Sequence, residues 1–199
     1  MSAQQLIVFL KSPRPGWVKT RLAIELGAEA ACEAYVRLVE TVLRQLAPLD
    51  NVELRFTPDD SRAEIEPWRR PKWRASPQGS GSLGDRLARA VDETFQSGAR
   101  RVIVIGSDCP AVRPADIEAA SAALEVHDVV LGPAVDGGYW LIGLRSPDTR
   151  VFEGISWSTH LVLTQTLARC RDAGLTVSLL RELRDVDTLE DWRRFCTGG

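Results

Sequence analysis

Five consecutive apolar residues, Leu6-Ile-Val-Phe-Leu10, stand directly before Lys11-Ser-Pro-Arg-Pro-Gly-Trp-Val-Lys-Thr-Arg-Leu22. An alternating strand can leave one face in water. A run with no polar residue cannot, and it fits a strand covered on both faces of a parallel sheet. The next segment carries two prolines, one glycine and four cations (Lys11, Arg14, Lys19 and Arg21), and then turns helix-forming. Strand, constrained basic loop and helix start together make an anion site, because helix N-termini attract negative charge and the cations lie beside them. Lysine is scarce: only Lys11, Lys19 and Lys72 among 25 Lys and Arg residues, and two of these fall in the one loop. A solvated basic loop has the same spacing, so both readings stand at this point.

Strand and helix patterns alternate along the rest of the chain. Residues 28–47 place Ala31, Tyr35, Leu38, Val39, Val42, Leu43 and Leu46 at helical spacing, and Pro48 stops that helix. Val52–Thr57 alternates as a strand. Residues 58–81, rich in Pro, Arg, Ser and Gly and holding Trp68 and Trp73, read as a long irregular loop of a kind that often carries function. Helices are expected at Leu83–Gln96, Pro114–Leu124, 159–173 (capped by Ser158) and 188–196. Strands are expected at Val102–Ile105, Val129–Leu131, Tyr139–Leu144 and 175–180. This order predicts an α/β class fold, one domain over residues 1–199, with helices on both faces of a sheet.

Composition narrows the partners. A net charge of -2 argues against a nucleic-acid binder with a basic surface, and no apolar run is long enough to cross a membrane. Cys32, Cys109, Cys170 and Cys196 form no CxxC pair, and no signal-peptide pattern opens the chain. A cytoplasmic protein with reduced thiols, binding neither nucleic acid nor membrane, is expected.

Four further motifs carry candidate chemistry. Asp108 follows the apolar run Val102–Ile105 by three residues, so it belongs at the carboxyl edge of the sheet, where ligands of open α/β folds bind. A carboxylate there can hold Mg²⁺ or cap a turn. Asp136-Gly-Gly138 precedes the Tyr139 strand. Its glycines suit a tight turn or a backbone lying against a ligand, with Asp136 facing a sugar or acceptor. Gly79-Ser-Gly-Ser-Leu-Gly84 matches GxGxxG in form, but no strand is expected before it, so the dinucleotide fingerprint is set aside. Ser82 with Asp85 makes a capping box for the next helix, while the glycine loop could wrap a base or ribose and Gln78 could read a base edge. Asp187 with Glu190 makes another capping box, or Asp187 supplies a second metal carboxylate. Cys109 has no paired histidine in sequence to activate it.

Taken in order, these residues resemble the nucleotide-diphospho-sugar transferase superfamily, of GT-A type, and more closely the DUF2064 group of glycosyltransferase-like proteins. The resemblance rests on the 11–22 segment, Gly81-Ser-Leu-Gly-Asp-Arg86, Gly106-Ser-Asp-Cys-Pro110, Asp136-Gly-Gly-Tyr-Trp-Leu-Ile-Gly143, Trp157-Ser-Thr159 and Asp185-Val-Asp-Thr188. Val18-Lys-Thr-Arg-Leu22 is also similar to phospholactate guanylyltransferases. Asp187-Thr-Leu-Glu-Asp191 is similar to the DTPED ending of sugar-acid cytidylyltransferases, with Leu189 in place of proline. The group's usual GDLGER is GSLGDR here, with Ser82 replacing an acidic residue.

The resemblance implies a single-domain three-layer α/β/α sandwich with a mostly parallel mixed sheet. It also implies a metal-dependent transferase acting on a nucleotide-activated donor. Mg²⁺ (or Mn²⁺) would sit on Asp108 and Asp187. Lys19, Arg21, Asp108 and Asp136 would be catalytic. Lys11, Gly16, Gln78, Gly79, Leu83, Gly84, Gly137 and Gly138 would hold the nucleotide or nucleotide-sugar, with a small molecule as acceptor. Glycosyl transfer from a nucleotide-sugar leads. Nucleotidyl transfer from a triphosphate and a non-catalytic nucleotide-binding module remain open, as does an RNA contact through the Arg and Trp residues of 62–74.

Overall fold

The computed structural model describes residues 4–198. Seven strands form one sheet in the order β3 (Arg74–Pro77), β2 (Val52–Thr57), β1 (Gln4–Lys11), β4 (Arg101–Ile105), β6 (Tyr139–Leu144), β5 (Val129–Pro133), β7 (Val177–Leu179). Every strand runs parallel to its neighbours except β6, which is antiparallel to both β4 and β5. The helices are α1 (Thr20–Leu26), α2 (Ala28–Gln45), α3 (Arg62–Ile65), α4 (Leu83–Gln96), α5 (Pro114–Ala123), α6 (Val162–Asp172) and α7 (Leu189–Thr197).

Both sheet faces are buried. Leu6, Val8, Leu10, Ile103 and Ile105 join a core with Tyr35, Val39 and Val42 of α2 and Ile117 and Ala120 of α5. Their alternate neighbours, Ile7, Val102 and Val104, join the opposite core with Leu87 and Val91 of α4 and Cys170 of α6. This is the three-layer sandwich expected. Strand order reverses between β1 and β4, so the loops after their carboxyl ends open side by side at a topological switch point.

The segment 58–81 differs from expectation. It holds α3, a 3-10 turn at Glu66–Trp68 and the edge strand β3, which pairs with β2 from Glu53↔Arg74 to Phe56↔Pro77. A four-residue strand ending in proline, with no β-branched residue, leaves almost no pattern to read. Trp73 is buried and donates its indole N–H to the Leu49 carbonyl at 2.7 Å, while Trp68 packs edge-on to Tyr35. Arg69 pairs with Glu66, and Arg70 lies over the Trp73 ring. The two tryptophans thus pack within the fold, while Arg62 and Arg74 stay exposed. Capping also differs. The α7 box is Thr188 with Asp191, one residue beyond the expected Asp187–Glu190 pair. Ser158, at φ +64°, does not cap α6, whose N-cap position is Leu161. The Ser82–Asp85 box at α4 is present as expected.

The polar positions of β2 are buried too. Arg55 reaches Glu53 at 2.6 Å and Glu93 of α4 at 2.7 Å, and the Ser76 hydroxyl donates to Glu53 at 2.6 Å. Removing one member of a buried ion pair strands the other. Arg55→Met should therefore lower unfolding stability by about 3 kcal/mol, with partial recovery on adding Glu53→Gln, as read by urea denaturation.

Candidate functional site

Val18 and Leu22 are buried and anchor the basic loop on either side of Lys19. Between them Lys19 takes a left-handed backbone, φ +47°, which costs a non-glycine residue about 1 kcal/mol. That conformation goes with a buried ammonium. The Lys19 side chain is 4% exposed, and its Nζ donates to Asp187 Oδ1 at 2.7 Å and stands 2.9 Å from Asp108 Oδ1 as an ion pair.

Three strand ends bring these groups together. Asp108 lies on the loop after β4. Tyr35 of α2 ties that loop to β1: its hydroxyl accepts from Lys11 N at 2.7 Å, donates to the Lys11 carbonyl at 3.1 Å and stands 3.4 Å from the Ser107 hydroxyl. Asp187 arrives on extended chain after β7. This chain bonds to the end of β5 through Leu183 N to Pro133 O, then to the β4 loop through Val186 N to Asp108 O, each at 3.0 Å.

Charge shapes the cluster. Burial opposes the Lys19 charge, but Asp108 and Asp187 outweigh it and hold its pKa well above the usual lysine value. Burial also opposes the Asp187 charge, yet Lys19 keeps that carboxyl below the usual range. At Asp185 the same ammonium is the weakest influence. Burial, then Asp136 and Asp187, push its pKa up to about 6. Asp185 is the member that sequence reasoning missed. Its signal was the Asp-x-Asp spacing, which in extended chain sets two carboxylates on one face.

The remaining expected residues divide. Arg21 is 3.8 Å from Asp187 and its side chain is 67% exposed, Lys11 is exposed, and Gly16, at φ +79°, stands in open space. Arg14 is turned away, paired with Glu64 and Asp60. Asp136 is exposed, accepts from Gly138 N at 2.8 Å and contributes to the raised Asp185 pKa.

Several residues expected to hold the nucleotide make contacts within the protein. Gln78 is 3% exposed. Its amide donates to the Leu10 and Arg55 carbonyls and accepts from Arg86, so it clamps strand ends. Leu83 packs against the α4-side core, and a Cβ on Gly84 would meet Trp157 at 2.9 Å and the Phe152 carbonyl at 3.1 Å. Both serve packing. Gly137, at φ +88°, lies against His160 rather than against a ligand face: a Cβ there would stand 2.4 Å from its carbonyl oxygen, and the Gly137 carbonyl accepts from Leu163 N. Gly138 completes this turn by donating to Asp136. A strand, β3, does precede the Gly79–Gly84 loop, contrary to expectation. Arg89 bonds the Gln78 and Ser80 carbonyls across Gly79, leaving Ser80, Gly81 and Ser82 exposed. Cys109 is buried, and that burial raises its pKa and favours the neutral thiol.

Among the described residues no three His, Cys, Asp or Glu side chains converge as a metal cage. The pair Asp108 and Asp187 nonetheless fits a hard cation. Asp108 Oδ1 and Asp187 Oδ1 already converge on one cation, the Lys19 ammonium, at 2.9 and 2.7 Å. Mg²⁺ and Mn²⁺ accept such oxygens and fill their remaining positions with water and phosphate.

The architecture is that of the nucleotide-diphospho-sugar transferases, GT-A in type, with its charged cluster at the sheet's carboxyl edge. The chain belongs to the family described as "Uncharacterized protein conserved in bacteria (DUF2064)", which matches residues 41–159. That span holds Asp108 and Asp136 but neither Lys19 nor Asp187. A crystal structure from Desulfovibrio desulfuricans G20, described as a "putative nucleotide-diphospho-sugar transferase", is 34% identical, covers 98% of this chain and 87% of its own, and superposes with a TM-score of 0.89. The fold is shared with CMP:2-keto-3-deoxy-manno-octonic acid synthetase complexed with CTP, at 13% identity, 99% of both chains and a TM-score of 0.61. It is shared as well with Rv0371C complexed with manganese from Mycobacterium tuberculosis H37Rv, at 14% identity, 100% of both chains and a TM-score of 0.58. A search of curated proteins found no match.

A raised carboxyl pKa means that the native state holds the proton more tightly than the unfolded chain. Asp185 therefore favours folding while protonated in both states, and that contribution is lost as pH climbs from about 4 to about 6. Asp185→Asn should raise the melting temperature at pH 7.5 in EDTA, by about 1 kcal/mol of stability after solvent screening, and the gap should close by pH 4. Thermal melts of both proteins across that range check this, and a lower melting temperature for the variant at pH 7.5 would refute it.

Proposed function

We propose that this protein is a divalent-metal-dependent transferase that moves a glycosyl group from a nucleotide-sugar to a small acceptor. The observation that carries this reading is the meeting of Lys19, Asp108 and Asp187 beyond the strand ends at the switch point. Asp108 and Asp187 would hold Mg²⁺ or Mn²⁺, which when bound neutralises the diphosphate leaving group. Arg21, 3.8 Å from Asp187, and Lys11, exposed at the end of β1, would add positive charge towards the phosphates, the arginine through two parallel hydrogen bonds. Ser80, Gly81 and Ser82 would border the base and ribose. Asp136, exposed at the rim, is the candidate base: it takes the acceptor's proton as the acceptor oxygen bonds to the sugar carbon and the bond to diphosphate breaks. Orientation of donor and acceptor supplies the rest of the rate.

A second reading is nucleotidyl transfer, in which an acceptor phosphate attacks the α-phosphorus and pyrophosphate leaves. Three cations in one loop, Lys11, Lys19 and Arg21, suit a triphosphate and favour it. A non-catalytic nucleotide-binding module would bind without dependence on metal or on Asp108.

Thermal shifts with nucleoside triphosphates and nucleotide-sugars, each with and without Mg²⁺, test these readings. A Mg²⁺-dependent rise with a nucleotide-sugar is expected, together with loss of the Mg²⁺-dependent part in Asp108→Asn at a nearly unchanged melting temperature. Preference for a triphosphate would move the assignment to nucleotidyl transfer. A rise that ignores both Mg²⁺ and Asp108 would leave a binding module, and no rise with any compound would end the transferase reading.

A further inference from the structure

We infer that Lys19 is a built-in counter-ion that withholds metal from Asp108 and Asp187 until nucleotide phosphates draw its ammonium away; this rests on the nucleotide-binding reading above. The cation lies deeper than the anions it serves. The Lys19 side chain is 4% exposed, whereas those of Asp108 and Asp187 are 47% and 33% exposed. The ammonium thus meets both carboxylates from the protein side, and their other side faces solvent, from which ligands arrive. Arg21, 3.8 Å from Asp187 Oδ2, adds a second positive group at the entrance. A divalent cation approaching the ligand-free protein therefore meets two carboxylates already neutralised by fixed positive charge.

Phosphates change that balance. A buried ammonium cannot leave its carboxylates for nothing, because an unpaired charge is not tolerated there. It can exchange them for phosphate oxygens. Lysine is suited to this, as a point charge with three rotatable donors on a flexible stem. Its loop also includes Gly16 at φ +79° and Lys19 itself in the left-handed region, so the backbone is held out of its resting preference at the residue that must move. Once Lys19 faces phosphate, Asp108 and Asp187 are released to the metal together. Metal and nucleotide then strengthen each other's binding, as reciprocal coupling requires.

The test reads binding rather than turnover. Mn²⁺ alone is titrated, by electron paramagnetic resonance, into the parent protein, Lys19→Met and Lys19→Arg. Lys19→Met should bind Mn²⁺ at least tenfold more tightly than the parent, and Lys19→Arg should stay near it. Adding inorganic pyrophosphate should tighten Mn²⁺ binding strongly in the parent and much less in Lys19→Met. Equal or weaker Mn²⁺ binding by Lys19→Met overturns the inference, and does so without touching the transferase reading if the parent still binds nucleotide. Tighter Mn²⁺ binding by Lys19→Met in a protein that binds no nucleotide or pyrophosphate overturns both that reading and the phosphate-triggered release. Should Lys19→Met fail to fold, the ¹⁵N resonance of the Lys19 ammonium in the parent decides. It should hold its position with Mg²⁺ alone and move with Mg²⁺ plus pyrophosphate; movement with Mg²⁺ alone overturns the inference.

Discussion

A sheet covered by helices on both faces leaves its strands no solvent-facing side, so polar chemistry can live only at the strand ends. Ile7, Ile103, Leu131 and Ile142 are all buried, and where β2 does carry charge, at Glu53 and Arg55, the charges answer one another and Glu93. Everything reactive is displaced to the carboxyl edge. The loop after β1 brings Lys19, the loop after β4 brings Asp108, the turn after β5 brings Asp136, and the chain after β7 brings Asp185 and Asp187. Tyr35 and the backbone bond from Val186 to Asp108 hold these pieces in register, so packing sets the site's geometry as much as charge does.

Charge counted along the chain is a poor guide to charge presented at a site. The basic loop looks like four free cations. In the folded protein Arg14 is held by Glu64 and Asp60, and Lys19 is held by two aspartates. Only Lys11 and Arg21 stay exposed. Asp185 is the converse case. It sits among like charges, and burial together with those charges raises its pKa against the opposing pull of Lys19.

The long elements were legible because period and punctuation agreed. Leu83–Gln96 and Tyr139–Leu144 have the bounds expected, since a capping box opens the first and a glycine pair precedes the second. The order of strands and helices gave the layers. What could not be read depends on contacts between distant segments. β3 is strand only because β2 pairs with it. Trp68 and Trp73 are core residues because α2 and the chain at Leu49 lie over them. Gln78, Gly84 and Gly137 have the composition of a ligand loop, and their contacts with Arg55, Trp157 and His160 cannot be seen along the chain. That Asp108 and Asp187 lie at the sheet's carboxyl edge was readable from the motifs that surround them, whereas nothing in sequence places Lys19 between them.

The bond from Lys19 to Asp187 joins positions 168 residues apart. Contacts of such span close late, after local helices and neighbouring strands have formed, because the loop entropy must be met before the contact rewards it. A folding molecule therefore completes most of both cores before the charged cluster is whole. Molecules that lack only this contact hold Lys19 beside Asp108 without the second carboxylate, so the cluster marks the fully folded state rather than the formation of the cores.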